Sequence, residues 1–121
     1  MANETGCTTV RPWGSFTILE DANDAKVKRL VVNPGQRISL QTHKHRDEHW
    51  IVVAGIAKVT LDNEVSERGY GDHIFVKRGT KHRIACDEGA PAVQIIEVQV
   101  GDSFAETDII RYSDDYGRSD S

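Results

Sequence analysis

Three histidines, a glutamate and a glutamine lie within residues 38–50, whose sequence is ISLQTHKHRDEHW. Imidazole nitrogens and carboxylate oxygens are ligands that zinc, iron, manganese and cobalt accept in proteins. The stretch therefore indicates a metal site. Which side chains would bind the metal depends on whether the stretch is helical or extended, because each structure places different residues on a common face.

The pentapeptide HRDEH, residues 45–49, matches the H-x-x-E-H pattern of one class of zinc peptidase. That chemistry requires a helix, because a helix brings residues four apart to one face. The flanking sequence opposes a helix, since apolar and polar residues alternate before the pattern and the β-branched residues 51–53 lead to Gly55 after it. An interpretation on strands is therefore preferred.

Strand patterns cover most of the chain. Short runs such as FTILED, QRISLQTH and AVQIIEVQV are separated by turn signals such as NPG, DN and DEGAP. Many short strands with turns between them are typical of a β-sandwich or barrel. We expect no long helix, and at most one helical turn within residues 104–112.

Length and composition restrict the function further. The chain has 121 residues and a net charge of −4, which suits a single domain and argues against a nucleic-acid partner. Its two cysteines are an ordinary number for a cytoplasmic protein. We find no signal peptide and no membrane-spanning segment, and therefore expect a cytoplasmic location and no membrane partner.

A longer frame of glycines and ligand-type residues resembles the paired motifs of the cupin superfamily. Those motifs are a glycine, H-x-H, a glutamate and a glycine, followed by a glycine, P-x-G and a histidine. The matching positions are Gly35, Gln41, His43, Glu48, Gly55, Gly71, Gly79 and His82. The resemblance implies an all-β fold with one domain, a double-stranded β-helix or jelly-roll barrel.

The cupin frame implies a metal site built from Gln41, His43, Glu48 and His82. On a strand, Gln41 and His43 would leave the same face, being two residues apart. A turn would return Glu48 on the neighbouring strand, and His82 would come from a third. This set of oxygen and nitrogen ligands suits a divalent ion, with zinc as first choice and cobalt, manganese, iron or nickel as alternatives.

A closer resemblance is to the type II phosphomannose isomerases. Their signature, Q-x-H-x-H-R-x-E-H-W followed by V-V-x-G-x-A, has glutamine at the first histidine position, as does QTHKHRDEHWIVVAGIAKVT here. RPWGSF, KVKRLVVNPGQRISLQ, GTKHRI and DIIRYSDDYGR are similar too.

We therefore assign residues 1–10 to a flexible N-terminal tail, 11–118 to the cupin domain and 119–121 to a C-terminal tail. In that family the domain often follows a mannose-1-phosphate guanylyltransferase, whose activity we do not carry over.

The resemblance implies interconversion of mannose 6-phosphate and fructose 6-phosphate, as part of the supply of activated mannose for polysaccharide. A general base must move a proton between C1 and C2 of the sugar, and His45, His49 and Glu97 remain open as candidates. The expected phosphate-binding residues are Arg37, Arg46 and Arg111. Arg37 is chosen because strand alternation places it on the same face as Gln41 and His43, and the other two because they lie in family-like segments. Arg118 is a further candidate. A homodimer formed through sheet faces is expected.

Two other functions remain open from the sequence. One is a cupin without catalytic activity that binds a sugar or a sugar nucleotide. The other is an iron-dependent cupin oxygenase, because two histidines and a carboxylate also bind iron. Gln41 and the basic residues around the motifs favour the isomerase over the oxygenase.

Overall fold

In the computed structural model of the protein, residues 5–117 are described. Their regular structure consists of strands, and none of their segments is a helix long and apolar enough to cross a membrane. The strands are β1 (Thr8–Arg11), β2 (Gly14–Asp21), β3 (Lys26–Val32), β4 (Leu40–Thr42), β5 (Arg46–Ala54), β6 (Ala57–Leu61), β7 (Glu64–Arg68), β8 (His73–Val76), β9 (His82–Ala85), β10 (Val93–Gly101) and β11 (Ile110–Ser113).

The strands form two antiparallel sheets that enclose one core. The six-stranded sheet has the order β1-β2-β3-β10-β5-β8, and the five-stranded sheet has the order β11-β4-β9-β6-β7. Strands distant in sequence, such as β3 and β10, therefore pair side by side. The all-β, single-domain architecture predicted from the sequence is confirmed, whereas the expected helical turn within residues 104–112 is a hydrogen-bonded turn followed by β11.

The interior of the barrel is apolar at one end and polar at the other. Along β10 every second residue is buried, and the buried residues change from Val93 and Ile95 to Glu97 and Gln99. On β5, Val52 is likewise apolar, and Glu48 is polar and 2% exposed. Buried charges are unfavourable unless they are paired or bind a ligand, so the polar end is the place to look for a site.

The N-terminal tail assigned from the sequence is partly wrong. Residues 8–10 belong to β1, which pairs with β2 in a register that includes Thr8 with Thr17 and Val10 with Ser15. A short edge strand is held by main-chain hydrogen bonds, so its polar composition gave no indication of it. The expected C-terminal tail, residues 119–121, and Arg118 lie outside the described residues.

Candidate metal centre and adjoining cavity

Three buried side chains converge between the two sheets. His43 directly follows β4, His82 begins β9, and Glu48 lies on β5 of the opposite sheet. One ligand atom from each lies within 4.8 Å of the others, and within residues 5–117 this is the one group of three or more histidine, cysteine or acidic residues with such geometry. The strand pairing of Gln41 with His82 places the glutamine beside this group.

Hydrogen bonds fix the tautomer of both histidines. The Nδ1 atom of His43 lies 2.6 Å from the carbonyl oxygen of Asp108, and that of His82 lies 2.9 Å from the carbonyl oxygen of Thr80. A carbonyl oxygen only accepts, so each Nδ1 carries the hydrogen and each Nε2 keeps its lone pair. These Nε2 atoms lie 3.4 Å (His43) and 3.9 Å (His82) from oxygens of Glu48.

The environment keeps both imidazoles neutral. Burial, followed by the positive charge of Arg46, lowers the pKa of His43 to about 3. Burial also lowers the pKa of His82 to about 4. Because a neutral imidazole is the form that binds a metal ion, neither histidine has to lose a proton at neutral pH before it can act as a ligand.

The donor set fits a divalent cation. Two imidazole nitrogens and one carboxylate suit zinc, iron, manganese or cobalt. Hydrogen bonds from Trp50 Nε1 at 3.0 Å and Arg46 Nε at 2.9 Å orient the carboxylate of Glu48. The amide nitrogen of Gln41 donates to Ser39 Oγ at 2.7 Å, which leaves the amide oxygen as the atom this side chain can offer to a metal. All four predicted ligands therefore line one site, and their binding of a metal stays a prediction.

A cavity of about 150 Å³ opens beside these residues, and Glu97 is part of its wall. Burial raises the pKa of Glu97 to about 8, and the charge of Glu48 and a hydrogen bond to it contribute in the same direction. The Nε2 atom of Gln99 donates to Glu97 Oε2 at 3.3 Å. On the neighbouring strand, the residue paired with Glu97 is Lys28. Glu97 thus lies between the ligand group and a cationic strand.

Four cationic side chains also line the cavity, together with apolar residues. Arg46 and Arg111, both expected from the sequence to bind phosphate, line it, and Arg46 Nη2 also donates to His43 Nε2 at 3.2 Å. Arg11 and Lys28 line it too, and sequence reasoning missed both. The alternation in AKVKRLVV was the available signal, because it places Lys28 on the same strand face as the buried Leu30.

Two of the three candidate bases lie elsewhere. The side chain of His45 is 54% exposed beside Asp102, because a bend at residues 44–45 ends the alternation that starts at Gln41. His49 lies on the outer face of β5, where its Nδ1 atom is 3.0 Å from His73 Nε2. Neither residue lines the cavity, so Glu97 is the one sequence-based candidate for the base that does.

Arg37 also lies outside the cavity, contrary to expectation. Its guanidinium forms an ion pair with Asp115 on the surface, with the Nε–Oδ2 distance at 2.7 Å. The prediction assumed unbroken alternation from Arg37 to Gln41, but residues 38 and 39 are not in a strand. Ile38 and Gln41 face the cavity instead, which turns Arg37 outwards.

Comparison with known proteins adds a family and several relatives. The family model described as "Mannose-6-phosphate isomerase C-terminal" matches residues 1–114. Mannose-1-phosphate guanylyltransferase from Escherichia coli K12 is 40% identical over 108 residues, which are 89% of this chain and 22% of that protein. Alginate biosynthesis protein AlgA from Pseudomonas aeruginosa is 42% identical over 113 residues, 93% of this chain and 23% of AlgA. The chain therefore spans less than a quarter of these relatives.

Solved structures with low sequence identity share the fold. Oxalate decarboxylase from Bacillus subtilis superposes with a TM-score of 0.77 at 20% identity, covering 88% of this chain and 30% of that one. A cupin-2 domain from Rhodospirillum rubrum superposes with a TM-score of 0.66 at 17% identity, covering 78% of this chain and 67% of that one. The cupin fold expected from the paired motifs is thus confirmed.

Proposed function

Because the chain belongs to the family of mannose-6-phosphate isomerase C-terminal domains, we propose that it is a metal-dependent isomerase interconverting mannose 6-phosphate and fructose 6-phosphate. The observation that carries the proposal is that a buried group of two histidines and a glutamate, with a geometry that could hold a metal ion, shares one cavity with four cationic side chains. A sugar phosphate needs both, because its carbonyl must be polarised and its phosphate must be bound.

The charge of the cavity supports an anionic substrate. Its wall contains four cations, Arg11, Lys28, Arg46 and Arg111, against three carboxylates, Glu48, Glu97 and Glu106. The wall is therefore net positive even with every carboxylate ionised, in a chain whose overall charge is −4. A local excess of positive charge in a cleft concentrates anions there and favours their binding.

The chemistry divides between the metal ligands and Glu97. A divalent ion held by His43, Glu48 and His82 would supply the Lewis acidity that polarises the sugar carbonyl and stabilises the enediolate. The carboxylate form of Glu97, which the positive charge of a cation bound nearby would favour over the acid form, takes the proton from C2 of the aldose and returns it to C1, while a second proton passes from O2 to O1. The atoms of substrate and product balance without any further reactant. Glu97 is assigned this role on position, because it lines the cavity and hydrogen-bonds to Glu48.

The setting of the reaction is also part of the proposal. Relatives are named for alginate and xanthan biosynthesis, so we propose that the product supplies mannose units for a polysaccharide. Zinc is the proposed metal, the cytoplasm the proposed location and a homodimer through sheet faces the proposed assembly. The hexose phosphate is the proposed small-molecule partner.

A coupled assay with mannose 6-phosphate, combined with metal analysis, tests this function. We expect turnover by the metal-loaded chain, and loss of both metal and turnover in His82→Ala. His73→Ala removes a histidine from the outer face and should retain both. Full metal occupancy without turnover of any hexose phosphate would contradict the isomerase and favour a cupin that binds a sugar without catalysis.

A further inference from the structure

Two cations meet at one aromatic ring on the cavity wall formed by β1, β2 and β3. The guanidinium carbon of Arg11 lies 5.1 Å from the centre of the Phe16 ring, and Lys28 Nζ lies 4.4 Å from it. All three residues line the cavity, each from a different strand of the same sheet. The ring therefore holds the two positive groups near each other.

Of these two cations only Lys28 is paired with a carboxylate of the described residues, that of Glu106, and Lys26 Nζ lies 3.5 Å from the same carboxylate oxygen. Lys28 Nζ donates to Glu106 Oε1 at 2.8 Å, and the side chain of Glu106 is half exposed. The guanidinium of Arg11 donates to the carbonyl oxygen of Val10 at 3.3 Å, and among residues 5–117 no carboxylate oxygen lies within 4.0 Å of it. The pair thus has one more positive than negative charge, and guanidinium donors remain for a ligand.

Lys28 lies two strands away from Glu48, one of the predicted metal ligands. Lys28 is on β3 and Glu48 is on β5, and β10 runs between them with Glu97 on its inner face. Neighbouring strands are about 5 Å apart, so β3 and β5 are separated by roughly 10 Å. An open-chain hexose with a terminal phosphate has this scale, and a molecule reaching from Glu48 to Lys28 would pass Glu97.

We propose that Arg11 and Lys28 form the subsite for the phosphate group of the substrate. The identity of the sugar rests on the function proposed above, whereas the anion subsite rests on its own geometry. Arginine offers a planar, two-pronged donor to phosphate oxygens and lysine offers a compact charge. In this subsite Glu106 competes with the phosphate for Lys28.

Binding measurements on the metal-loaded full chain test the subsite without requiring turnover. The probes are inorganic phosphate, mannose 6-phosphate and mannose, titrated calorimetrically into wild type, Arg11→Gln and Lys28→Gln. Removing one charged hydrogen bond should weaken binding of both phosphate probes about tenfold to a hundredfold and leave mannose binding unchanged. Glu106→Gln should strengthen binding of both phosphate probes. Arg29→Gln, on the outer face of β3 where Arg29 contacts Gln94, should change none of the three.

Unchanged phosphate affinity in Arg11→Gln and Lys28→Gln overturns the subsite, as does a wild type that binds neither phosphate probe. If Lys28→Gln does not fold, the partly exposed Arg11 still decides the matter, because Arg11→Lys should recover part of the affinity that Arg11→Gln loses. Normal phosphate binding without turnover would instead count against the isomerase function alone. The two failures are therefore distinguishable.

Discussion

The imidazole of His43 is anchored by the main chain of Asp108, 65 residues further along the sequence, through an Nδ1–O contact of 2.6 Å. The carboxylate of Asp108 accepts hydrogen bonds from the backbone N–H groups of Lys44 at 3.0 Å and His45 at 2.9 Å. The loop before β11 therefore holds both the tautomer of His43 and the bend that follows it. Groups that orient a metal-binding histidine in this way commonly affect metal affinity.

Asp108→Ala should weaken metal binding by about tenfold to a hundredfold, because the carbonyl that orients His43 loses its anchor. Asp108→Asn keeps one acceptor oxygen and should fall between Ala and wild type. Competition with a chelating dye measures the affinity, and the absorption spectrum of the Co²⁺ form reports the ligand geometry. Asp115→Asn is the control, because it breaks only the surface ion pair with Arg37. A lower melting temperature with unchanged metal affinity and spectrum would mean that Asp108 is purely structural.

Glu97→Gln should separate catalysis from metal binding. The substitution preserves the shape of the side chain and removes its ability to accept a proton, so we expect turnover to fall by about 10²- to 10⁴-fold with metal content unchanged. Rate measurements at saturating substrate and metal analysis of the same samples check this. Glu67→Gln on the edge strand β7 is a matched control. Retention of more than a tenth of the wild-type rate in Glu97→Gln would exclude this residue as the base.

The buried histidines should make the metal-free protein sensitive to acid. The pKa of His82 is about 4 in the folded chain, against roughly 6.5 for a free histidine. Between these values the unfolded chain binds more protons than the folded chain, so the free energy of unfolding rises with pH. The contribution of His82 to the free energy of unfolding is complete above about pH 6.5 and is lost as the pH falls through 4. His43, whose pKa is about 3, changes this free energy in the same direction.

Urea denaturation of the metal-free protein at pH 7 and pH 5 measures this effect. Wild type should lose about 2 kcal/mol more than His82→Gln over that interval, on the order of what the pKa shift implies. Glu97, whose pKa is raised to about 8, contributes with the opposite sign in both proteins and largely cancels in the comparison. His45→Gln controls for the replacement of a histidine outside the cavity. Equal losses in wild type and His82→Gln would contradict the burial argument.

The sequence predicted the fold and the residues that line the candidate metal centre, because both depend on spacing. The motif spacing places three residues between predicted turns, and the structure brings their side chains together. These residues are His43, Glu48 and His82. Arg37 and His45 were misplaced because side-chain alternation holds only inside an unbroken strand, and the breaks at residues 38–39 and 44–45 have no distinct sequence signal.

Three residues at the site were not predicted from the sequence, and the reason is a different one. Asp108, Arg11 and Lys28 reach the site through contacts with elements distant in the chain, such as Glu106 for Lys28 and His43 for Asp108. The alternation along β3 indicated which face of the strand Lys28 occupies, but these contacts depend on the order of strands within the sheets, which no local pattern contains. Glu97 was predicted only as one of three candidate bases. The sequence signal was a carboxylate within an apolar strand, which is unusual for a residue facing solvent.

Metal binding should stabilise the fold as well as supply chemistry. A cation that binds only the folded chain adds RT ln(1 + [M]/Kd) to the free energy of unfolding, about 2.7 kcal/mol at a hundredfold excess over Kd. A melting curve should therefore shift upwards by several degrees when Zn²⁺ is added and return when a chelator removes it. His82→Ala should show little shift, because the remaining predicted ligands, Gln41, His43 and Glu48, include only one imidazole. His73→Ala should shift as wild type does, and an equal shift in His82→Ala would show that the stabilising metal binds elsewhere.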